Sequence, residues 1–225
     1  MRAPNSHNPA VRLFHYHLVT SEVRELEARY VGKLGFELVA RHGRVGESSS
    51  TIEPGVGWDE LDAQGFVLRL SELQRGAVNV VLQPGHWRLP RVDHLGVALA
   101  DGDFEAVLMR AAGWNLPVQE RNNRRTFVST NAGYRIELHP QSDSLEGLID
   151  AGDELRIAEL QLATDKPEAK AVALADILGL LSEGDAVAVG ETVVRFVPEG
   201  PEGRPELFAE RFEHSAAGAS KPGRQ

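Results

Sequence analysis

Two histidines and a glutamate lie at matching points of an internal repeat. His15 and His94 each open a stretch of alternating apolar residues, and an acid closes each stretch seven residues later, Glu22 and Asp101 respectively. Glu137 lies in the last apolar stretch of the second repeat. Two imidazoles and one carboxylate are ligands that Fe(II), Mn(II) and Zn(II) accept, and on an octahedral ion they leave about three positions open. These three residues are therefore the candidate metal ligands.

The elements that must position these residues repeat in the order β-α-β-β-β, first in residues 11–84 and again in residues 91–140. Alternating apolar residues predict the strands, and apolar residues at helical spacing predict the helix after each first strand. Residues 43–64, rich in glycine, serine and acids, are predicted to form a long loop, and His42 beside them is expected to be solvated. The predicted fold class is α+β, with tandem units that form a curved mixed sheet around a cleft.

A third, truncated unit is predicted in residues 155–198. There Ala158 and Arg195 occupy the positions at which the second unit has its histidine and its glutamate, so this unit has lost the ligands. A unit left over exposes sheet edges, which favours a homodimer. The small, polar tail, residues 213–225, is predicted to be disordered.

The composition argues against several classes of function. The formal net charge is −9 over 225 residues, which disfavours nucleic acid and anionic membranes as partners. The chain has no cysteine, so thiolate catalysis, disulfides and cysteine-ligated metal sites are excluded. No apolar run reaches the roughly 20 residues that a membrane helix needs, and the polar N-terminus has no signal-peptide core. A cytoplasmic protein with a small-molecule substrate is therefore expected.

The chain resembles the vicinal oxygen chelate superfamily over residues 13–140, and more weakly over residues 155–198. The resemblance depends on the paired units, on the opening histidines, and on two short segments, 34–36 (Leu-Gly-Phe) and 134–138 (Tyr-Arg-Ile-Glu-Leu). That superfamily includes glyoxalase I, extradiol ring-cleaving dioxygenases, fosfomycin-resistance enzymes and bleomycin-binding proteins. The resemblance implies a metal-dependent enzyme that acts on a small oxygenated molecule.

Members of this superfamily differ at the last strand of the first unit. Glyoxalase-like members have a fourth ligand there, a carboxylate, whereas this chain has Val81 at that position. The remaining set of two histidines and one carboxylate is similar to that of extradiol dioxygenases and fosfomycin-modifying enzymes. The extradiol resemblance implies Fe(II), with Mn(II) or Zn(II) as the other candidates, and a catecholate that binds through both oxygens with dioxygen beside it.

The acid–base residue is where the chain departs from the extradiol pattern. Those enzymes usually carry a histidine on the strand before the second ligand strand, and counting fifteen residues back from His94 reaches Asn79. An amide donates a hydrogen bond but does not exchange a proton at neutral pH. His17 and His139 each share a strand face with a proposed ligand and are the candidate replacements, so His17, His139 and Asn79 are the catalytic candidates.

Three other functions remain open from the sequence. One is a Mn-dependent transfer of a thiol to an epoxide, as in fosfomycin resistance. Another is a metal-free binding protein like the bleomycin-binding members, for which an acidic chain would suit a cationic drug. The last is a degenerate scaffold for a partner protein, since the third unit has lost its ligand positions.

Overall fold

The computed structural model describes residues 11–121, 125–140, 155–198 and 200–214. In these residues fourteen strands form one mixed sheet. The strands are β1 (Val11–Thr20), β2 (Glu37–Val45), β3 (Ser48–Ile52), β4 (Phe66–Arg75), β5 (Val78–Pro84), β6 (Arg91–Leu99), β7 (Val118–Arg121), β8 (Arg125–Ser129), β9 (Arg135–Pro140), β10 (Leu155–Ala163), β11 (Ser182–Glu183), β12 (Ala186–Val189), β13 (Thr192–Val197) and β14 (Glu206–His214). The helices are α1 (Val23–Leu34), α2 (Trp58–Ala63), α3 (Asp101–Gly113) and α4 (Pro167–Leu178). None of them is long and apolar enough to cross a membrane.

The first two units have the same arrangement of strands. In the first unit β1 pairs in parallel with the last strand, β5, and β4 and β2 follow in antiparallel pairs. In the second unit β6 pairs in parallel with β9, and β8 and β7 follow in the same way. The first strands β1 and β6 lie antiparallel to each other, so both candidate histidines lie at the junction of the two units. The α+β fold class with tandem β-α-β-β-β units is confirmed.

The third unit joins the same sheet. Its first strand, β10, pairs in parallel with β13, and the short strands β12 and β11 follow. Strand β14 lies antiparallel to β10 and meets β6 at Glu206 and Arg91, so it connects the third unit to the second. Of the predicted disordered tail, Glu213 and His214 belong to β14, and residues 215–225 lie outside the described residues.

The prediction of a long loop in residues 43–64 is wrong. Strand β2 continues to Val45 and forms a hairpin with β3, and helix α2 follows. Residues of β3 are mostly serine and threonine, because this strand is at the edge of the sheet and most of its side chains are exposed. An edge strand needs no alternating apolar pattern, so these residues carry no strand signal in the sequence. His42 accordingly lies within a strand.

The two faces of the sheet differ in chemistry at β1. Tyr16 and Leu18 are fully buried, and the Tyr16 hydroxyl lies 2.8 Å from the hydroxyl of Tyr30 on α1. Successive residues of a strand point to opposite faces, so His15 and His17 point away from that helix. The helix-covered face therefore builds the apolar core, and the opposite face carries His15 and His17.

Candidate metal centre

The side chains of His15, His94 and Glu137 converge at the junction of the first two units. Nε2 of His15 lies 3.0 Å from Nε2 of His94. Oε2 of Glu137 lies 2.9 Å from Nε2 of His94 and 3.8 Å from Nε2 of His15. All three residues are buried. Ligand atoms bound at right angles to one ion at 2.0–2.2 Å are about 3.0 Å apart, so two of the three separations already match a shared ion.

Strand pairing explains why these three residues meet. His15 lies opposite Gly96 in the antiparallel pair of β1 and β6, and Gly96 lies opposite Glu137 in the parallel pair of β6 and β9. Gly96 therefore sits between two of the candidate ligands. A Cβ at this position would lie 2.7 Å from the Cβ of His15, closer than real contacts allow. The absence of a side chain at Gly96 makes room for the imidazole of His15.

A hydrogen bond on the far side of the His15 ring directs its Nε2 towards the cluster. Nδ1 of His15 lies 2.7 Å from Oδ1 of Asn79. The amide nitrogen of Asn79 donates to Glu72 and to Gln74, so its oxygen is free to accept from His15. His15 then has its proton on Nδ1 and a lone pair on Nε2, the form that binds a metal.

Asp93 has the same effect on His94. Its Oδ2 lies 2.9 Å from Nδ1 of His94. Arg135 also pairs with this carboxylate, and Nη2 of Arg204 lies 3.0 Å from the other oxygen. Burial alone would raise the pKa of Asp93, but the hydrogen bonds from His94 and Arg135 outweigh it and hold the pKa well below its usual range. Asp93 is therefore a permanent anion that holds the His94 ring in place.

The protonation states of the cluster suit a divalent cation. Burial and the neighbouring His94 lower the pKa of His15 to about 3, so this ring is neutral. Burial opposes protonation of His94, but hydrogen bonds to Asp93 and Glu137 outweigh it and raise the pKa of His94. Burial would also raise the pKa of Glu137, yet the His139 and His94 imidazoles lower it. A metal that binds here meets one carboxylate and one neutral imidazole, and it competes with protons for the second imidazole, that of His94.

Two further histidines belong to the same buried cluster. The ring of His17 packs edge-on against His94, with ring centroids 4.7 Å apart, and its Nε2 has no hydrogen-bond partner in the described residues. Nε2 of His139 lies 3.1 Å from Oε1 of Glu137, although this oxygen has no well-aligned hydrogen-bond donor in the described residues. The structure thus brings the candidate residues together in one site: His15, His17, Asn79, His94, Glu137 and His139.

The sequence analysis missed three residues of the site. Asp93 precedes a candidate ligand, and neighbours in a strand point to opposite faces, so spacing gave no reason to join them. Arg204 precedes β14 and lies far from the cluster in sequence. Nε of Arg125 lies 3.4 Å from Oε1 of Glu137, on a side chain that is 61% exposed.

The third unit fills its ligand positions with an ion pair. Pairing of β10 with β13 places Glu159, and not Ala158, at the position that His15 occupies on β1. Glu159 pairs with Val193, five residues before Pro198, as His15 pairs with Asn79, five residues before Pro84. Nε of Arg195 lies 3.3 Å from Oε1 of Glu159. A guanidinium has no lone pair to give a metal, and it neutralises the carboxylate. The match by sequence was therefore one residue off, but the loss of the ligand set in this unit stands.

Comparison with known proteins supports the fold. Neither a protein-family model nor a curated protein sequence matches the chain. A triple mutant of 4-hydroxymandelate synthase from Streptomyces coelicolor matches with a TM-score of 0.57 and 14% identity, over 84% of this chain and 63% of that one. The 2,3-dioxygenase LapB from Pseudomonas sp. KL28 matches with a TM-score of 0.52 and 12% identity, over 87% and 73%. The Mn(II)-bound glyoxalase from Novosphingobium aromaticivorans matches with 0.52 and 13%, over 88% and 64%.

The chain spans 63% of the synthase and 64% of the glyoxalase, so it is similar to part of each of these proteins. At such low identity the similarity establishes a shared fold and nothing of the activity. The activity has to be argued from the site.

Proposed function

We propose that the protein is a metal-dependent enzyme of the vicinal oxygen chelate superfamily that acts on a small oxygenated molecule, with extradiol-type ring cleavage as its reaction. The observation that carries the proposal is the convergence of His15, His94 and Glu137, whose ligand atoms all lie within 4.8 Å of one another. Fe(II) is the favoured metal, and Mn(II) or Zn(II) accept the same ligands. The dioxygenase and glyoxalase folds among the similar structures support a metal centre in this sheet.

The chain's own residues prepare the site for this chemistry. Asn79 and Asp93 fix the tautomer and orientation of the two imidazoles. The ring of Phe127 packs edge-on against His94, with centroids 5.2 Å apart, and helps to exclude water. A bound Fe(II) would supply Lewis acidity and a path for electrons between an oxygenated substrate and dioxygen. These contacts hold the ligands rigidly before any substrate binds.

His17 and His139 take different roles in this proposal. His17 has an unpaired Nε2 beside a ligand and is the candidate for moving a proton to or from the substrate. His139 lies against the second oxygen of Glu137 and orients that carboxylate. Asn79 acts through His15 as a positioning residue. No feature of the described site favours thiol transfer, a metal-free binding protein or a degenerate scaffold. A cytoplasmic location and a homodimer stay predictions from the sequence.

The metal site is tested by anaerobic loading with Fe(II) and measurement of bound iron. We expect about one iron per chain in the wild type and near-background iron in His94→Ala and Glu137→Ala, because each removes a ligand. His86→Ala is the matched control, since His86 is exposed and packs on Trp87 outside the cluster. Equal amounts of bound iron in the wild type and in both variants would show that His94 and Glu137 are not metal ligands.

The reaction is tested with the iron-loaded protein and catechol in an oxygen electrode, since ring cleavage consumes dioxygen. His17→Gln is expected to lower kcat at least tenfold with bound iron unchanged, because it removes a proton carrier and no ligand. His139→Gln is expected to lower iron affinity instead. Unchanged oxygen uptake in His17→Gln would contradict the acid–base role, and iron binding without any oxygen uptake would contradict ring cleavage while leaving the metal site intact.

A further inference from the structure

A cavity of about 600 Å³ opens at the outer strands of the first unit. Its lining includes His42 and Arg44 of β2, Ser49 and Thr51 of β3, and Arg69 of β4. These side chains are all polar or cationic, while Val67 and Leu68 of β4 add apolar side chains to the lining. The cavity is thus distinct in composition from the apolar core under the helices.

The cavity lies on the same face of the sheet as the metal centre. Nε2 of His42 lies 3.8 Å from Oε2 of Glu72, and the other oxygen of Glu72 accepts a hydrogen bond from Asn79 at 3.0 Å. Asn79 in turn holds His15. A chain of polar contacts therefore runs across this face from the candidate ligand to the cavity wall, where His42 meets Thr51 at 3.1 Å.

The separation between the two places suits a single extended ligand. Strands β1, β5, β4, β2 and β3 are consecutive neighbours in the sheet. At about 4.8 Å per strand, the four spacings from β1 to β3 span roughly 20 Å across the sheet. The cavity is also displaced along the strands, because its β4 residues precede Gln74, the partner of Asn79, by five or more positions, so the whole path is roughly 25 Å. Curvature of the sheet shortens the direct path. A molecule with one end at the cluster can reach the cavity with its other end.

The charged side chains of the cavity indicate which chemical group of the ligand would bind there. Within the described residues Arg44 and Arg69 have no ion pair, whereas other arginines of this acidic chain do, such as Arg24 with Asp62 and Arg41 with Glu27. The Ser49 and Thr51 hydroxyls can donate hydrogen bonds beside these guanidinium groups. Guanidinium groups recognise carboxylate and phosphate through paired, charge-assisted hydrogen bonds. The lining is complementary to an oxyanion.

We infer that this cavity binds an oxyanion, a carboxylate or a phosphate, at the distal end of the substrate whose oxygenated end faces His15, His94 and Glu137. That the oxygenated end of the substrate binds at the metal centre rests on the proposed function. It narrows the substrate class to oxygenated molecules with an anionic tail. It also assigns Arg44 and Arg69 to substrate specificity.

The anion site is tested without any metal. Chelator-treated protein is titrated calorimetrically with inorganic phosphate and with succinate, in a low-salt buffer that contains neither anion. We expect saturable binding of at least one of the two anions, weakened about tenfold or more in the double variant Arg44→Gln/Arg69→Gln. Lys33→Gln/Arg88→Gln is the matched control because it removes the same charge from exposed side chains outside the cavity. Phosphate binding alone identifies a phosphate site, and succinate binding alone a carboxylate site.

Absence of binding for both anions in the wild type overturns the inference, and so does an equal loss of binding in the control. The link to the metal centre is tested with iron-loaded protein and two ligands, catechol and a catechol with a carboxyalkyl tail. The double variant should raise KM about tenfold or more for the tailed catechol and leave KM for catechol unchanged. Equal KM effects on both ligands also overturn it. Failure of iron loading would count against the proposed function, while the anion titration still decides this inference.

Discussion

At the scale of single residues, the candidate centre depends on what lies behind each ligand. A metal-binding imidazole has to present one particular nitrogen, and its other nitrogen needs an acceptor. For His94 that acceptor is Asp93, whose carboxylate is itself held by Arg135 and Arg204. Arg204 precedes β14, so a residue beyond the third unit's own strands supports a ligand of the second unit. The segment before β14 thus supports the site without supplying a ligand.

Asp93→Asn is therefore expected to weaken metal binding about 10- to 100-fold, because an amide does not hold the ring as a fixed anion does. The measurement is a competition titration of Co(II) or Fe(II) against a chromophoric chelator. Asp59→Asn, an exposed change on α2, is the matched control. Arg204→Lys should bind metal more tightly than Arg204→Ala, since a cation near Asp93 is retained. Wild-type affinity in Asp93→Asn would contradict the positioning role.

At the scale of elements, the centre is a property of the junction between β1 and β6. The two strands are antiparallel, and His17 lies opposite His94, two pairs along from His15 and Gly96. This pairing brings residues that are 79 apart in sequence within 3.0 Å. A small residue at Gly96 is a condition of that approach, because its missing Cβ is the space that the His15 ring occupies.

Gly96→Ala is expected to displace the His15 ring and to lower iron affinity about tenfold or more. The added methyl group would lie 2.7 Å from Cβ and 2.9 Å from Cδ2 of His15. Relief of such contacts needs a movement of roughly 1 Å, and metal sites tolerate about 0.5 Å. Gly102→Ala is the matched control, since nothing lies within 4 Å of a Cβ there. Iron binding and the urea midpoint are measured for both, and equal iron affinity in both would refute the steric argument.

The sequence predicted the residues and strands that recur in the repeat, and it did not predict features that occur only once. His15, His94 and Glu137 could be aligned because the strand order of each unit and the opening histidine recur. Strand β3 was missed, since an exposed edge strand needs no apolar alternation. The sequence alignment put Ala158 at the ligand position in place of Glu159. The error of one residue arose because a register shift in β10 at Ala158 leaves no mark on the sequence. Long-range partners such as Arg204 follow from the fold alone.

At the scale of the whole molecule, β14 joins the first unit to the third through a buried polar contact. The hydroxyls of Tyr30 and Tyr16 donate to Oε2 of Glu210 on β14, at 2.6 and 3.1 Å. Arg29 pairs with the other oxygen of Glu210 at 2.8 Å. A buried carboxylate without such partners is costly, so these contacts fix where β14 can lie against the first unit.

This arrangement predicts how the protein responds to alkaline pH. The sequence has three tyrosines, and all of them are buried. Burial, with neighbouring Tyr and Glu groups, raises the pKa of Tyr16 and Tyr30 well above 10, and burial also raises the pKa of Tyr134 well above its usual range. A phenol with a raised pKa in the folded state stabilises the fold fully below pH 10, and this contribution is lost as the pH rises through the folded pKa.

We therefore expect no phenolate absorbance in the native protein as the pH passes 10, and then a single step in which all three tyrosines ionise together with loss of circular dichroism. In guanidinium the three should titrate freely near pH 10. Tyr134→Phe is the control, because the Tyr134 hydroxyl has no hydrogen-bond partner in the described residues. It should reduce the step by one tyrosine and leave stability at neutral pH unchanged or slightly higher. Reversible ionisation of any tyrosine near pH 10 with the fold intact would show that the Tyr16, Tyr30 and Glu210 contact is not closed to water.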